Sequence, residues 1–237
     1  MIPILTANSL FPPLDNALAS PNGLLAAGGD LSVSRLLSAY RNGIFPWFNE
    51  DEPILWWSPD PRMVLFPGEL KISRSLAKLL RKNNYTIQTD THFTEVMQAC
   101  AAPRKDQQGT WIHPQMIDAY NKLYQLGLAH SVETWINGEL AGGLYGIALG
   151  KVFFGESMFS RSPNASKIAF AHLVRQLSEW EFVLIDCQVK TAHLASLGAR
   201  EISRTAFHQL LEQHIPDATR SEKWDFGNSM GSIDENA

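Results

Sequence analysis

Three polar residues stand at the ends of greasy segments and have the right chemistry to move protons. Lys151-Val-Phe-Phe-Gly-Glu-Ser157 closes on Glu156, and Phe182-Val-Leu-Ile-Asp-Cys-Gln188 closes on Asp186 and Gln188. An ionised carboxylate inside an apolar segment is costly unless a cation or a hydrogen-bond donor meets it, so both acids need a reason to be there. Residue types alone leave two reasons open. The acids handle protons for a reaction, or they are structural carboxylates bonded to backbone N–H groups or to Arg161 or Lys190. Covalent nucleophiles are poorly supported. Gly155-Glu-Ser157 has Phe159 where a nucleophile elbow needs glycine. Cys100 and Cys187 stand far apart without a CxxC partner, which fits buried thiols in a reducing compartment and no metal site.

The elements that must position these residues follow from spacing. Between the two segments Asn164 is placed to accept from the free N–H groups of a helix start, and Phe170, Leu173, Val174 and Leu177 recur at helical spacing as far as Trp180. Strand, helix and strand with short links predict two parallel strands, whose carboxyl ends open on one edge of a sheet. Ligands sit at that edge. Alternation along the second strand predicts that Asp186 and Gln188 share one face and Cys187 takes the other. Upstream, Ser131 to Ile136 and Glu139 to Leu149 flank Asn137-Gly138, a strong hairpin signal, so an antiparallel meander leads into the first strand. Gly142, Gly143 and Gly146 in its middle strand predict a bulge or a close approach of other chain. Downstream, a helical turn over Thr191 to Leu197, a short strand at Arg200 to Ser203 and a helix from Arg204 to His214 complete the pattern.

Nearer the start, residues 1–20 read as an arm packed on the body, and Pro21 to Ser32 as a turn-rich loop ending where Ser32 caps a helix over about Ser34 to Asn42. Leu36, Leu37 and Tyr40 form its inner face. The paired glycines before it lack a following Lys-Ser/Thr, which argues against a phosphate loop. Gly43-Ile-Phe-Pro-Trp-Phe48 and Trp56-Trp-Ser-Pro-Asp-Pro-Arg62 hold aromatics between prolines, either walling a recess or filling a satellite core. From Lys71 to Lys82 there is no acid, and Arg74, Lys78, Arg81 and Lys82 fall on one helical face opposite Leu76, Leu79 and Leu80. A solvated face usually mixes signs, so this one reads as phosphate-binding or as plain solvent surface. Tyr85 to Asp90 predicts a strand, Phe93 to Ala101 and Pro114 to Leu126 predict helices, and a polar loop spans 102–109.

The 237 residues are 45% hydrophobic, enough for one large domain or two small ones. No uncharged apolar run approaches the roughly 18 to 20 residues of a membrane span, and the first residues lack the basic start of a signal peptide. A cytoplasmic protein without a membrane partner is expected. The net charge of -4 counts against nucleic acid only until the local basic stripe is considered. The polar tail from about 217 is expected to be loosely held.

The order of elements resembles the GNAT acyltransferase superfamily, whose members hold a splayed sheet beside an acyl donor. Most grip CoA with a glycine-containing loop; here the corresponding Arg161-Ser-Pro-Asn-Ala-Ser166 has lost both glycines, so no CoA and no other cofactor is expected. Longer strings narrow the resemblance. Pro21-Asn-Gly-Leu-Leu-Ala-Ala-Gly-Gly-Asp30, the two aromatic segments, Gly109-Thr-Trp111, Gly155-Glu-Ser-Met-Phe-Ser160, Asn164-Ala-Ser-Lys167, Asp186-Cys-Gln188 and His193-Leu-Ala-Ser-Leu-Gly-Ala199 resemble the leucyl/phenylalanyl-tRNA–protein transferases over about residues 20 to 215. The resemblance implies transfer of Leu or Phe, with Met as a further donor, from aminoacyl-tRNA to proteins beginning with Arg or Lys, marking them for degradation by the N-end rule. It matches Asp186 and Gln188 to a proton-handling pair and Glu156 to an acceptor-side carboxylate. Trp47 and Trp111 match aromatics at the aminoacyl end, with Tyr40 and Leu144 assigned to the same substrate pocket; Leu144 stands where some relatives carry Met. Arg74, Arg81 and Lys82 lie where the family meets tRNA, with Lys78 in the same stripe. The implied fold class is α+β, with a smaller N-terminal α/β domain over 1–62 followed by a GNAT-like mixed sheet flanked by helices over 63–237. A monomer is the expectation. The rival readings are an acyl-CoA-dependent N-acetyltransferase and a non-catalytic RNA-binding module.

Overall fold

The computed structural model describes residues 2–102 and 110–226. In chain order it runs β1 (Ile4–Leu5), β2 (Leu24–Gly28), α1 (Val33–Arg41), β3 (Phe45–Pro46), β4 (Leu55–Trp57), β5 (Arg62–Leu65), α2 (Arg74–Lys82), β6 (Thr86–Thr89), α3 (Phe93–Ala101), α4 (Pro114–Gln125), β7 (Ala129–Ile136), β8 (Glu139–Leu149), β9 (Val152–Ser160), α5 (Ala165–Glu179), β10 (Leu184–Gln188), α6 (Ala192–Ser196), β11 (Arg200–Ile202) and α7 (Arg204–His214). Hydrogen bonding sorts the strands into a small sheet, β1-β2-β4-β3, and a seven-stranded sheet, β11-β5-β10-β9-β8-β7-β6. In the large sheet β9 and β10 are parallel and the other neighbours antiparallel. The predicted α+β class and the parallel βαβ unit are thus observed. At the β7–β8 turn Asn137 and Gly138 take φ of 53° and 79°, the left-handed pair that a tight two-residue hairpin requires.

Alternation along the central strands feeds two cores. Phe153 and Ile185 pack with Leu173 and Leu177 of α5, whereas the next residues in each strand, Phe154 and Leu184, belong with Val96 and Met97 of α3. The second core also takes in Leu25 and Trp56 of the small sheet. Gly142 is needed because α5 comes so close: a Cβ there would lie 2.6 Å from that of Ala165. Among the described residues no helix is long and apolar enough to cross a membrane.

Several local expectations change. Strands β2 to β5 arise where the sequence suggests only turns and aromatic loops, because segments this short carry no readable period. Asn164 does not cap α5 with its side chain; it sits at φ 64°, and Ser160 Oγ accepts the Ser166 N–H at 2.9 Å instead. The tail from 217 is not loose where described. Trp224 and Phe226 are buried, the Trp224 ring lies 3.9 Å above the His130 imidazole, and the Trp224 N–H donates to Asp90 Oδ2 at 2.7 Å. Two aromatic side chains outweigh the polar residues around them. Residues 103–109 of the expected polar loop, including Gly109, and the tail beyond Phe226 lie outside the described residues.

Candidate active site

The site begins where the central pairing stops. β9 and β10 are in register at Leu184↔Val152, Ile185↔Phe153 and Asp186↔Phe154, after which the ladder ends and the strands part. Just there each strand carries a bulge. On β9, Ser157 opposes Tyr145 and Gly155 opposes Gly146, leaving Glu156 as the extra residue. On β10, Asp186 opposes Val64 and Gln188 opposes Met63, leaving Cys187 as the extra residue. A bulge bends a strand and re-aims its side chains. Gln188 accordingly takes φ 60°, and Cys187 lines the same cavity as Asp186 and Gln188 rather than the far face predicted by alternation. The cavity between the parted strands measures about 530 Å³, within the range of small-molecule sites.

The two carboxylates meet different company. Asp186 is fully buried, and Arg62 grips it with two bonds, Nε to Oδ1 at 2.8 Å and Nη2 to Oδ2 at 2.7 Å. Oδ1 also accepts the Gln188 N–H at 2.9 Å. The guanidinium is itself held, lying 4.7 Å from the ring centres of both Phe45 and Phe207 and donating to Gly43 O at 3.1 Å. The cation is therefore neither Arg161, which donates to Leu140 O, nor Lys190, which pairs with Glu201. Asp186 thus has a matched partner in Arg62, and its strand end is tied down.

Glu156 is buried without a direct cation among the described residues. Its Oε1 accepts from Tyr40 OH at 2.8 Å and Gln188 Nε2 at 3.0 Å, and its Oε2 from Tyr120 OH at 3.0 Å. Burial pushes its carboxyl up to about 7; the two tyrosine bonds pull downward, the Asp186 charge adds to the rise and Arg62 opposes it. Tyr40 and Tyr120, hydrogen-bonded to each other, are held well above the ordinary phenol range by burial first and the Glu156 charge next. They stay protonated, and their two protons are shared among the contacts with Glu156 and the contact with each other. Burial also pushes the Cys187 thiol up, which removes it as a nucleophile.

Trp47, Trp111 and Leu144 line the cavity with Glu156, Asp186 and Gln188. Trp47 is 45% exposed at the rim, while Trp56 is buried, so the aromatic segments supply both a wall and a core. Tyr40 is not on the wall. It stands behind Glu156. Arg74, Lys78, Arg81 and Lys82 are exposed on α2, away from the cavity lining, and α2 packs through Leu76 and Leu80 on Ile168 and Ala171 of α5. Sequence reasoning missed Arg62 and Tyr120. Arg62 is a cation closing an aromatic, proline-bounded segment, a signal available but ambiguous; Tyr120 reads as ordinary helix core. Among the described residues no group of three His, Cys, Asp or Glu side chains could hold a metal ion.

A parted mixed sheet, with a carboxyl group poised near neutrality beside an apolar-walled cavity, has the chemistry that a group-transfer site of the acyltransferase kind needs. The family models named leucyl/phenylalanyl-tRNA protein transferase match residues 64–212 and, for its N-terminal domain, residues 29–60. The chain belongs to that family. It is 69% identical over 230 residues to the leucyl/phenylalanyl-tRNA–protein transferase of Nitrosospira multiformis, covering 97% of this chain and 99% of that one. The protein of the same name from Nitrosomonas europaea is 68% identical over 226 residues, 95% of this chain and 96% of that one. Among solved structures, a GCN5-related N-acetyltransferase from Kribbella flavida aligns with a TM-score of 0.34 at 13% identity over 70% of this chain and 60% of that one, too slight an overlap to carry an argument.

Proposed function

We propose that the protein transfers Leu or Phe from aminoacyl-tRNA to the N-terminal amine of proteins beginning with Arg or Lys, with Glu156 as the proton acceptor. Family membership and the Glu156 environment together support this reading. The ester of an aminoacyl-tRNA is already activated, and an N-terminal amine with a pKa near 7.7 to 8.0 is partly neutral at cellular pH. The amine nitrogen bonds to the ester carbonyl carbon, the carbonyl–ribose oxygen bond breaks, and the amine's proton passes by way of the carboxylate to the departing oxygen. An acceptor with a pKa near 7 suits that proton. Gln188 links the two acids, since its side chain donates to Glu156 and its backbone to Asp186. In this assignment Asp186 and Arg62 fix the strand end. The acceptor-holding role implied for Glu156 is set aside because a carboxyl pushed up to about 7 is suited to gain and lose a proton rather than to stand as a fixed charge for the acceptor's cation. Apolar walls at Leu144, Phe153, Met158 and Phe170 suit an aliphatic or aromatic donor side chain.

The degradation-marking role and a cytoplasmic location accord with this chemistry. An acyl-CoA reading fares worse. At the start of α5 Pro163 has no N–H, and the amides of Ala165 and Ser166 already donate to Ser162 O and Ser160 Oγ, which leaves little for a pyrophosphate. A purely RNA-binding role leaves the Glu156 arrangement without a purpose. The test is transfer of labelled Leu and Phe from charged tRNA to a peptide beginning with Arg, without CoA. No transfer, or equal transfer to a peptide beginning with Glu, would sink the proposal.

A further inference from the structure

β6 is an edge strand of the large sheet, and a groove of about 610 Å³ lies against it, sharing no lining residue with the cavity at Glu156. Among the described residues no Asp, Glu, Lys or Arg lines this groove; amides and rings do, chiefly Asn84, Gln88, Asn137, His92 and Trp135. The Trp135 indole N–H is buried and has no acceptor among the described residues, and the His92 ring stands edge-on to the indole at 4.8 Å. The Gln88 amide rests at 3.0 Å on the Thr91 hydroxyl, which holds one end of it and leaves the other to bond elsewhere. Two connections tie the groove to the rest of the molecule. Asn83, at φ 46°, turns the chain out of α2 directly after Lys82, so the groove begins where the basic stripe ends. Strand pairing sets it at the cavity's end of the sheet: Ser160 of β9 is level with Gly142, Gly142 with Thr134 and Thr134 with Ile87, and Trp135 pairs with Thr86. Three strand spacings of about 4.8 Å, roughly 14 Å in all, separate β6 from β9, whose Gly155 to Met158 line the cavity.

We propose that this groove receives a base of the tRNA, about four nucleotides back from the aminoacyl-bearing end, while α2 holds neighbouring phosphates. This rests on the aminoacyl-tRNA reading and deepens it. Phosphates are held by Lys and Arg, and none lines the groove, so it does not merely extend the stripe. Amide side chains, aromatic rings and a spare indole N–H are the groups that recognise an unpaired base, by bonds to its edge and by stacking. The reach follows from the register: at about 3.4 Å per stacked nucleotide, 14 Å is about four steps along the strand. The cavity meets the amino acid. The groove meets the nucleic acid that carries it.

The experiment compares Leu-tRNA with 3′-leucyl-adenosine, which keeps only the terminal nucleoside. For Asn84→Ala/Gln88→Ala, and separately for Trp135→Phe, kcat/KM with Leu-tRNA should fall about tenfold, the order of one lost base contact, while kcat/KM with leucyl-adenosine stays where it is. The slope of log affinity for tRNA against log salt should not change, because no phosphate contact is removed. Leu-tRNA made abasic at about the fourth nucleotide from its end should lose a similar factor with the unaltered protein and little more with the variants. Equal losses with both donors, a flattened salt slope, or normal transfer from the abasic donor would overturn the proposal. If the unaltered protein uses leucyl-adenosine as well as Leu-tRNA, this proposal alone falls; if it transfers from neither, the aminoacyl-tRNA reading falls first.

Discussion

The large sheet carries two buried polar clusters, and they solve the problem of a buried carboxylate in opposite ways. At the β6–β7 side, Asp90 accepts from His130 Nδ1 at 2.7 Å, from the Ser131 N–H at 2.8 Å and from the Trp224 N–H at 2.7 Å. Glu133 beside it accepts from the backbone of Thr91 and His92 and from the hydroxyls of Ser131 and Thr91. Backbone donors are fixed, and the tail closes over them. This is architecture. At the β9–β10 side the donors to Glu156 are two phenols and one amide, all side chains, and one flank is an open cavity. Burial alone does not mark a catalytic acid; a raised pKa and room for a substrate beside it do.

Altering the cavity side should have the larger consequences. Glu156→Gln should lower the single-turnover transfer rate by about 10² to 10⁴-fold and abolish the rise of rate with pH through about 7. A near-normal rate would return the proton to Asp186 or to the substrate. Next in size is Arg62→Met, which strands a buried anion and should cost about 3–5 kcal/mol in urea unfolding, with partial recovery in Arg62→Met/Asp186→Leu. Asp90→Asn, on the other side, should cost about 1–3 kcal/mol while leaving the pH midpoint of transfer where it is. If that midpoint moves, the clusters are coupled and the contrast fails. The smallest effect belongs to Tyr120→Phe, which removes a bond to the ionised carboxylate and should raise the rate-versus-pH midpoint by roughly one unit.

The same shift has a stability signature of opposite sense. A carboxyl whose folded pKa is raised from 4.5 to about 7 contributes stability that is fully present below the unfolded value and lost as pH rises through the folded one. Activity should therefore climb across the interval around pH 7 in which this contribution disappears. Thermal unfolding of the parent protein against Glu156→Gln across pH 4 to 8 checks it. Only the parent should lose stability from this source.

Periodicity and turn chemistry were enough to read β7 to β10, α3, α4, α5 and α7 from the chain, and with them the fact that Glu156 and Asp186 lie on neighbouring parallel strands, although β9 does not end there but runs on to Ser160 past the bulge at Glu156. Those features are local or nearly so: apolar spacing, an Asn-Gly turn and a short crossover leave few alternatives. The raised pKa of Glu156 was another matter, because a pKa depends on neighbours that the chain brings from afar. Arg62 reaches Asp186 across 124 positions, Tyr40 reaches Glu156 across 116, and Tyr120 reaches it across 36. The bulges at Glu156 and Cys187 likewise depend on the partner strands β8 and β5, so a rule of strict alternation could not foresee that Cys187 would share the cavity. Likewise Trp224 looked like part of a polar tail until the stacked His130 and the Asp90 carboxylate gave its ring and N–H a place to go. Sequence determined which groups were available at the sheet's edge, and only the folded chain decided which of them was left without a counter-ion.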